Sequence, residues 1–346
     1  MKKFITAVLI AAVMLFCGFG CGNLSELYCF SKNAWNGGGE GLAESGVSET
    51  LTYNVSISED FNENGYNFIR SSGIYSDLSY DITGTYTVNL SVIEKIDSSV
   101  TFESDILEDT INLIKVNTEL NLTANYYFDG KAETKTDTIS DIYYILQGDK
   151  EYAPLYSERT YDYNIVNAFK GVSFARQKGK TTALFNKTEY TVKTETYNFK
   201  TEQTETSSRT NKYNYKTLIC NEELLFALRN INVEKDKTVS LPTESFVYNN
   251  YSTLNVGCFT DKAEIELENI SVNGEEKDLT VNAKGLSYKL NSTQSGRAQL
   301  AYIQTAEKDT LKNRALMVKY VQPISEYGNQ LIMGAMIYTL SSVSFS

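Results

Sequence analysis

Apolar and polar side chains alternate with a period of two along much of this chain, the spacing of a strand with one buried face. Tyr53, Val55 and Ile57 begin the pattern, and Tyr86, Val88, Leu90 and Val92 repeat it. The longest run is 116–128. There Val116, Leu120, Leu122, Ala124, Tyr126 and Phe128 share one phase with Thr118, while Asn117, Glu119, Asn121, Thr123 and Asn125 take the other. This predicts one long, half-buried strand. Asp129-Gly130 then offers a two-residue turn, in which both positions need positive φ, and 131–138 should return antiparallel. Segments 161–166 and 188–199 alternate in the same way. Segment 263–270 reads as a strand, Asn273-Gly274 as a second hairpin turn and 279–290 as its return. Segments 298–305, 314–321 and 334–343 complete the expected sheet.

Two stretches break the rhythm. In 221–231, Leu224, Leu225, Leu228 and Ile231 fall at helical spacing. Asn221 is placed to cap the first turn, and Glu222 and Glu223 complement its dipole. A single amphipathic helix must bury its stripe, and the concave face of a curved sheet is the place for it. The second stretch, 201–211, is polar throughout and reads as a long turn or mobile loop. The expected fold is therefore mainly β: a large curved antiparallel sheet or half-barrel with one short helix packed on it.

The first residues are of another kind. Lys2 and Lys3 precede an uncharged run, Phe4 to Phe16, and small residues then lead to a cysteine in Gly18-Phe19-Gly20-Cys21. That order is the signature of a secretory signal. With a cysteine at the cut it resembles a bacterial lipoprotein signal. The resemblance implies lipid attachment at Cys21, palmitate included, and an extracytoplasmic body anchored to the bacterial cell membrane. An ordinary signal peptide with an incidental cysteine is the alternative. The apolar run falls short of the ~20 residues that span a bilayer. Residues 1–20 would then be the lipoprotein signal peptide, 21–50 a flexible Gly/Ser-rich tether and 51–346 the antiparallel β body, with a possible sub-division near 150–160. As a Gly-rich coil, ~30 tether residues span about 30 Å. Trp35, the one tryptophan, sits in the tether.

Composition narrows the function. Losing residues 1–20 removes Lys2 and Lys3 and no acid, which takes the formal charge from −11 to −13. Such a surface repels phosphate backbones, so no nucleic-acid partner is expected, and the lipid on Cys21 would be the membrane contact. Tyr 25, Phe 16 and only Pro 3 suit strands. There is no histidine, which excludes Ser-His-Asp and Cys-His nucleophile pairs, a histidine base and histidine metal ligands. Cys29, Cys220 and Cys258 remain beside Cys21. A Cys220–Cys258 disulfide and buried free thiols are both open.

Several short motifs do not carry their usual chemistry. Asp60-Phe61-Asn62-Glu63-Asn64-Gly65 looks like the first half of a calcium loop, but its twelfth position is Ser71, and a polar turn is the better reading. Lys178-Gly179-Lys180-Thr181 lacks the leading glycine of a phosphate loop, with Phe174 in that place. Leu241-Pro242-Thr243-Glu244-Ser245 is a chance match to a sorting signal. Glu264, Glu266 and Glu268 line one face of a strand as a solvated surface. No metal or cofactor is expected.

From the helix onward the chain resembles a family of uncharacterised exported bacterial proteins built on a curved antiparallel sheet. The matching elements cover about a third of the chain. They are the helix Leu224-Leu225-Phe226-Ala227-Leu228-Arg229, a penultimate strand Leu316-Met317-Val318-Lys319, and a closing strand with Gly334 and Ile337-Tyr338-Thr339-Leu340. The architecture is similar to the half-barrels of periplasmic lipoprotein carriers and mycobacterial lipid-binding lipoproteins, whose concave face holds acyl chains. The resemblance implies a lipid or amphiphile ligand in the curved sheet. The alternative is a structural or protein-interaction module that holds another envelope protein. A glycosidase would need only two carboxylates, yet no local motif picks out a pair. No enzyme activity is expected, and no catalytic residue is named.

Overall fold

The computed structural model describes residues 46–58, 79–93, 113–128, 131–147, 152–164, 176–212, 219–220, 224–231, 233–247, 250–290, 298–305, 311, 314–326 and 331–346. Fifteen strands form one sheet in the order β8-β7-β6-β5-β4-β3-β2-β1-β15-β14-β13-β12-β11-β10-β9. The first limb holds β1 (Ser48–Ile57), β2 (Ser79–Ile93), β3 (Leu113–Phe128), β4 (Lys131–Gln147), β5 (Tyr152–Tyr163), β6 (Gln177–Phe185), β7 (Glu189–Asn198) and β8 (Gln203–Lys212). The second holds β9 (Ile219–Cys220), β10 (Thr238–Ser245), β11 (Asn250–Val272), β12 (Glu275–Leu290), β13 (Gln299–Gln304), β14 (Met317–Glu326) and β15 (Leu331–Phe345). Neighbours in each limb are neighbours in sequence. The exception is the central junction, where β1 pairs antiparallel with β15 from Glu49↔Phe345 to Ile57↔Met336.

The alternating segments become these strands for the expected reason: one phase is buried and the other faces solvent. Along β1 the burial pattern reads strictly in this way from Glu49 to Val55, with Leu51, Tyr53 and Val55 inside. The long run of 116–128 lies within β3, which pairs with β4 from Leu113↔Leu146 to Phe128↔Lys131, so just two residues connect them. The Asp129-Gly130 turn itself lies outside the described residues. At the other predicted hairpin, Val272 pairs with Glu275, and Asn273 and Gly274 both have positive φ (50° and 88°). At Gly84 of β2, an added Cβ would sit 2.2 Å from the Asn121 carbonyl oxygen of β3, so glycine alone fits there.

Register shifts bend the sheet. They occur at Thr52/Tyr53, at Tyr144/Ile145 and three times along β11. The second limb curls far enough for the end of β11 to meet β15 in two parallel pairs, Ser271↔Ser342 and Val272↔Val343. The sheet remains open rather than a closed barrel. Its two end regions nevertheless face each other. Phe185, Tyr190 and Val192 of the first limb pack with Cys220 and Phe246 of the second in a small separate core. Side chains, not a ladder, hold this seam: the Tyr190 hydroxyl and Asn211 Nδ2 donate to Glu244, and Arg209 Nη2 donates to the Phe246 carbonyl.

The main core fills the inside of the curl and draws on β1–β4, β10–β15 and the helix. That helix, α1 (Leu224–Ala227), tightens into a 3-10 turn over Leu228–Asn230. Leu224, Phe226, Ala227, Leu228 and Ile231 are all buried, so the element is enclosed rather than laid on a surface. Arg229 fastens its end. The guanidinium donates from Nη1 to Glu49, from Nε to the Ala315 carbonyl (3.2 Å) and from Nη2 to the Arg314 carbonyl (3.0 Å). Arg314 lies 3.9 Å from the second Glu49 oxygen and stacks 4.5 Å over the Phe345 ring. Ala315 is held at a φ of 52°, which an alanine adopts only under such restraint.

One reading of the sequence changes, and others are resolved. Segment 201–211 is not a loop, because 203–212 is strand β8. Its residues are almost all exposed on both faces, so no alternation marks it. Lys178-Gly179-Lys180-Thr181 lies in extended β6, and Leu241-Pro242-Thr243-Glu244-Ser245 forms the body of β10. Of the two alternatives for Cys220 and Cys258, the structure shows buried thiols that do not form a disulfide with each other. No helix among the described residues is long and apolar enough to cross a membrane.

Candidate functional site

Successive strands bring a row of polar residues into direct register on the inner face. Thr118 of β3 pairs with Asp141 of β4, Asp141 with Arg159 of β5, Arg159 with Thr181 of β6, Thr181 with Thr194 of β7, and Thr194 with Ser207 of β8. Asp141 is in phase with the inward residues Ile139, Tyr143 and Ile145, so its carboxylate points into the curl. It is buried, and burial requires a partner. Arg159 supplies one in fork geometry, with Nε to Oδ1 at 2.6 Å and Nη2 to Oδ2 at 2.7 Å. Thr118 Oγ1 donates to Oδ2 at 3.3 Å.

Across the curl stands a group of tyrosines. Register pairs Tyr53 with Tyr86 and Tyr320 with Tyr338, and the rings continue in contact from β1 to β12. Centroid separations are 5.8 Å for Tyr53–Tyr86, 5.8 Å for Tyr86–Tyr338, 5.1 Å for Tyr320–Tyr338 and 6.2 Å for the stacked Tyr288–Tyr320 pair. Tyr53 donates to the Met317 carbonyl at 2.8 Å. Tyr288 lies 2.9 Å from the Tyr320 hydroxyl, and both hydroxyls reach Gln299 Oε1. Burial pushes every one of these hydroxyls well above the usual phenol range; the nearby Asp141 carboxylate adds to the effect on Tyr86, and Arg159 offsets part of it on Tyr338. At neutral pH all therefore keep their protons.

Between these two groups lies a cavity of about 390 Å³. Its polar wall comprises Asp141, Arg159, Thr118, Gln299, Gln322 and the hydroxyl ends of Tyr86, Tyr288, Tyr320 and Tyr338. Its apolar wall is Leu120, Ile139 and, from α1, Leu224 and Leu225. Ser245, at the end of β10, completes it beside the seam. The lining thus combines neutral donors and acceptors, one internally neutralised charge pair and a patch of branched aliphatic carbon.

Glu244, next to Ser245, is the titratable group of the seam. Burial pushes its carboxyl up to about 7. A carboxyl raised above its unfolded value binds its proton better when folded. Its contribution to stability is complete below about pH 4.5 and is lost as the pH rises toward about 7. Glu244→Gln should therefore stabilise the protein at about pH 8, by about 1–2 kcal/mol once solvent screening is allowed for, and change little at about pH 4. Thermal melts of both proteins at the two pH values check this. A loss of stability at about pH 8 in place of the gain would show that the carboxylate is needed in its charged form.

Of the residues singled out from the sequence, Leu224 and Leu225 reach the cavity, as do Tyr86 and Leu120 of the alternating runs and Tyr338 of the closing strand. Cys21, the expected lipid attachment point, and the Asp60 loop lie outside the described residues. Glu264, Glu266 and Glu268 are exposed on β11, away from the site. Among the described residues no cluster of ligating side chains is arranged to hold a metal ion. Asp141, Arg159 and Gln299 were not anticipated. The available signal was a charge in the inward phase of a strand, at Asp141 after Ile139 and at Arg159 after Leu155 and Ser157.

Comparison with protein-family models, with curated proteins and with solved structures finds no match for this chain.

Proposed function

We propose that this protein is a membrane-anchored extracytoplasmic lipoprotein, tethered through lipid on Cys21, whose curved sheet binds a small amphiphilic ligand in the cavity beneath α1. The observation that carries the reading is the two-sided lining: an aliphatic patch from Leu120, Ile139, Leu224 and Leu225 opposite a polar wall of protonated tyrosines, glutamines and the Asp141–Arg159 pair. The volume falls at the small end of ligand pockets. It suits one short chain or ring bearing a hydrogen-bonding head, not a lipid with several acyl chains. The polar wall carries no net charge, so it selects a head that donates and accepts hydrogen bonds.

The test is native mass spectrometry of the full chain, extracted gently from its own producer, beside the variant Leu225→Trp. Leu225 is partly exposed at the cavity wall, so the larger ring fills space without entering the core. A reproducible added mass that extracts into organic solvent, and that Leu225→Trp loses, supports the reading. A bare mass for the native chain, or an added mass indifferent to Leu225→Trp, counts against it. The second reading, a protein-interaction module of the cell envelope, draws on the open outer edge of β8.

A further inference from the structure

An open sheet has two edges, and here they differ sharply. One is β9, two residues long. The other is β8, ten residues long and exposed on both faces over most of its length. Among the described residues nothing pairs with its outer side. Edge strands are ordinarily protected by proline, by a bulge, by being short or by charged side chains, because their outward N–H and C=O groups template pairing with another chain. Strand β8, Gln203-Thr204-Glu205-Thr206-Ser207-Ser208-Arg209-Thr210-Asn211-Lys212, has no proline, no bulge and ten residues, and its three charges are of both signs.

Its charges are antisymmetric about one residue. Counting outward from Ser207, acids stand at Glu205 and, in the turn before the strand, Glu202; bases stand at the mirror positions Arg209 and Lys212. We infer that β8 is a self-association edge, and that two copies of this chain pair antiparallel through β8 with Ser207 on the two-fold axis. In that register Glu205 faces Arg209 of the second copy and Glu202 faces its Lys212. Thr204 faces Thr210, Thr206 faces Ser208, and Gln203 faces Asn211. Every cross-strand pair is opposite in charge or matched for hydrogen bonding, the pairings that stabilise antiparallel ladders.

Two further observations fit a second copy rather than an unrelated strand. The self-pairing is isologous and closes at two, since the short β9 edge cannot continue a chain of subunits. The edge is also electrically neutral on a chain whose formal charge is −11, so two acidic bodies meet where their repulsion is smallest. Arg209 donates from Nη2 to the Phe246 carbonyl within its own subunit. A guanidinium fork has five N–H donors, enough for that carbonyl and a facing carboxylate together. The row Thr118–Asp141–Arg159–Thr181–Thr194 ends at Ser207, so pairing would join the polar rows of two cavities across the axis.

The test uses the full chain in mild detergent, with the unsubstituted protein as the control for its own cysteines. Ser207→Cys places two thiols opposite each other at the axis, within the Cα separation that a disulfide spans. Thr204→Cys places its two copies about 20 Å apart and should not cross-link. Mild oxidation should therefore give at least about ten-fold more reducible dimer from Ser207→Cys than from Thr204→Cys. Glu205 is exposed, so Glu205→Arg should leave the fold intact while abolishing that cross-link and halving the sedimenting protein mass. Adding Arg209→Glu to it should restore both in part, since that change also gives up the Arg209–Phe246 contact of the seam. Equal cross-linking at positions 204 and 207, or a native chain that sediments as a monomer at tens of micromolar, would overturn the assignment.

Discussion

Raising the pH from about 10 to about 11 should unfold this protein cooperatively. Tyr53, Tyr143, Tyr288, Tyr320 and Tyr338 are buried and Tyr86 is half-buried against them, and desolvation holds each hydroxyl protonated well beyond the usual phenol range. In the unfolded chain the same groups ionise near pH 10. The folded state then binds more protons than the unfolded one, so the tyrosine contribution is intact below about pH 10 and is lost as the pH climbs above it. Each such group costs about 1.4 kcal/mol at one pH unit above its unfolded value. Together they remove on the order of 8 kcal/mol, comparable with the whole stability of a typical domain. In an alkaline titration the exposed tyrosines should ionise gradually near pH 10, and a further step in tyrosinate absorbance should coincide with the loss of near-ultraviolet circular dichroism. Absorbance reaching the value for all 25 tyrosines before structure is lost would mean that these rings are open to solvent.

Arg229→Ala should cost about 3–5 kcal/mol, the range for breaking a buried ion pair by removing one partner. Glu49 is 1% exposed, and its companion Arg314 stands 3.9 Å away, too far to replace the lost hydrogen bond. The substitution also releases the carbonyls of Arg314 and Ala315, and with them the restraint that keeps Ala315 at positive φ. The damage thus reaches three elements at once: the end of α1, the start of β1 and the approach to β14. Urea melts of Arg229→Ala and of the double variant Arg229→Met with Glu49→Gln separate the causes. The double variant removes the charges while keeping most of the volume, and should recover much of the loss. Near-native stability for Arg229→Ala alone would show that Glu49 finds another cation.

Most of the sheet was legible because half-buried strands carry their own record. The alternation at 116–128 and the turn pair Asn273-Gly274 became the elements their patterns describe, and the closing strand expected over 334–343 lies within the longer β15. The failures have physical reasons. Strand β8 is exposed on both sides, so the period-two signal vanishes and only its threonine content remained as a clue. The helix expected within 221–231 is present from Leu224 on, with 221–223 outside the described residues, but it is buried nearly all round, with Arg229 tied to Glu49, which one apolar stripe did not convey. A stripe says that a face is covered; it does not say that the whole turn is swallowed. The cavity was the least legible part. Asp141 meets Arg159 only because β4 and β5 pair in that register, and Tyr86 meets Tyr338 only because β1 pairs with β15 across nearly the whole sequence.

That last pairing has a consequence for the order in which the molecule is made. Synthesis proceeds from the N-terminus, and domains begin to fold as they emerge. Each limb is an antiparallel meander, save for β9, which lies parallel to β10, and can form early, but β15 comes last and lies in the middle of the finished sheet, between β1 and β14. Until it arrives, two half-built sheets each wait with a raw inner edge, and the Tyr86–Tyr338 contact between the two sides does not exist. Folding is therefore completed by a zipper at the centre rather than by growth at a rim. A chain stopped before 331 would be left as two halves joined at the Tyr190–Phe246 seam but not through the sheet, with long sticky strands at both broken faces.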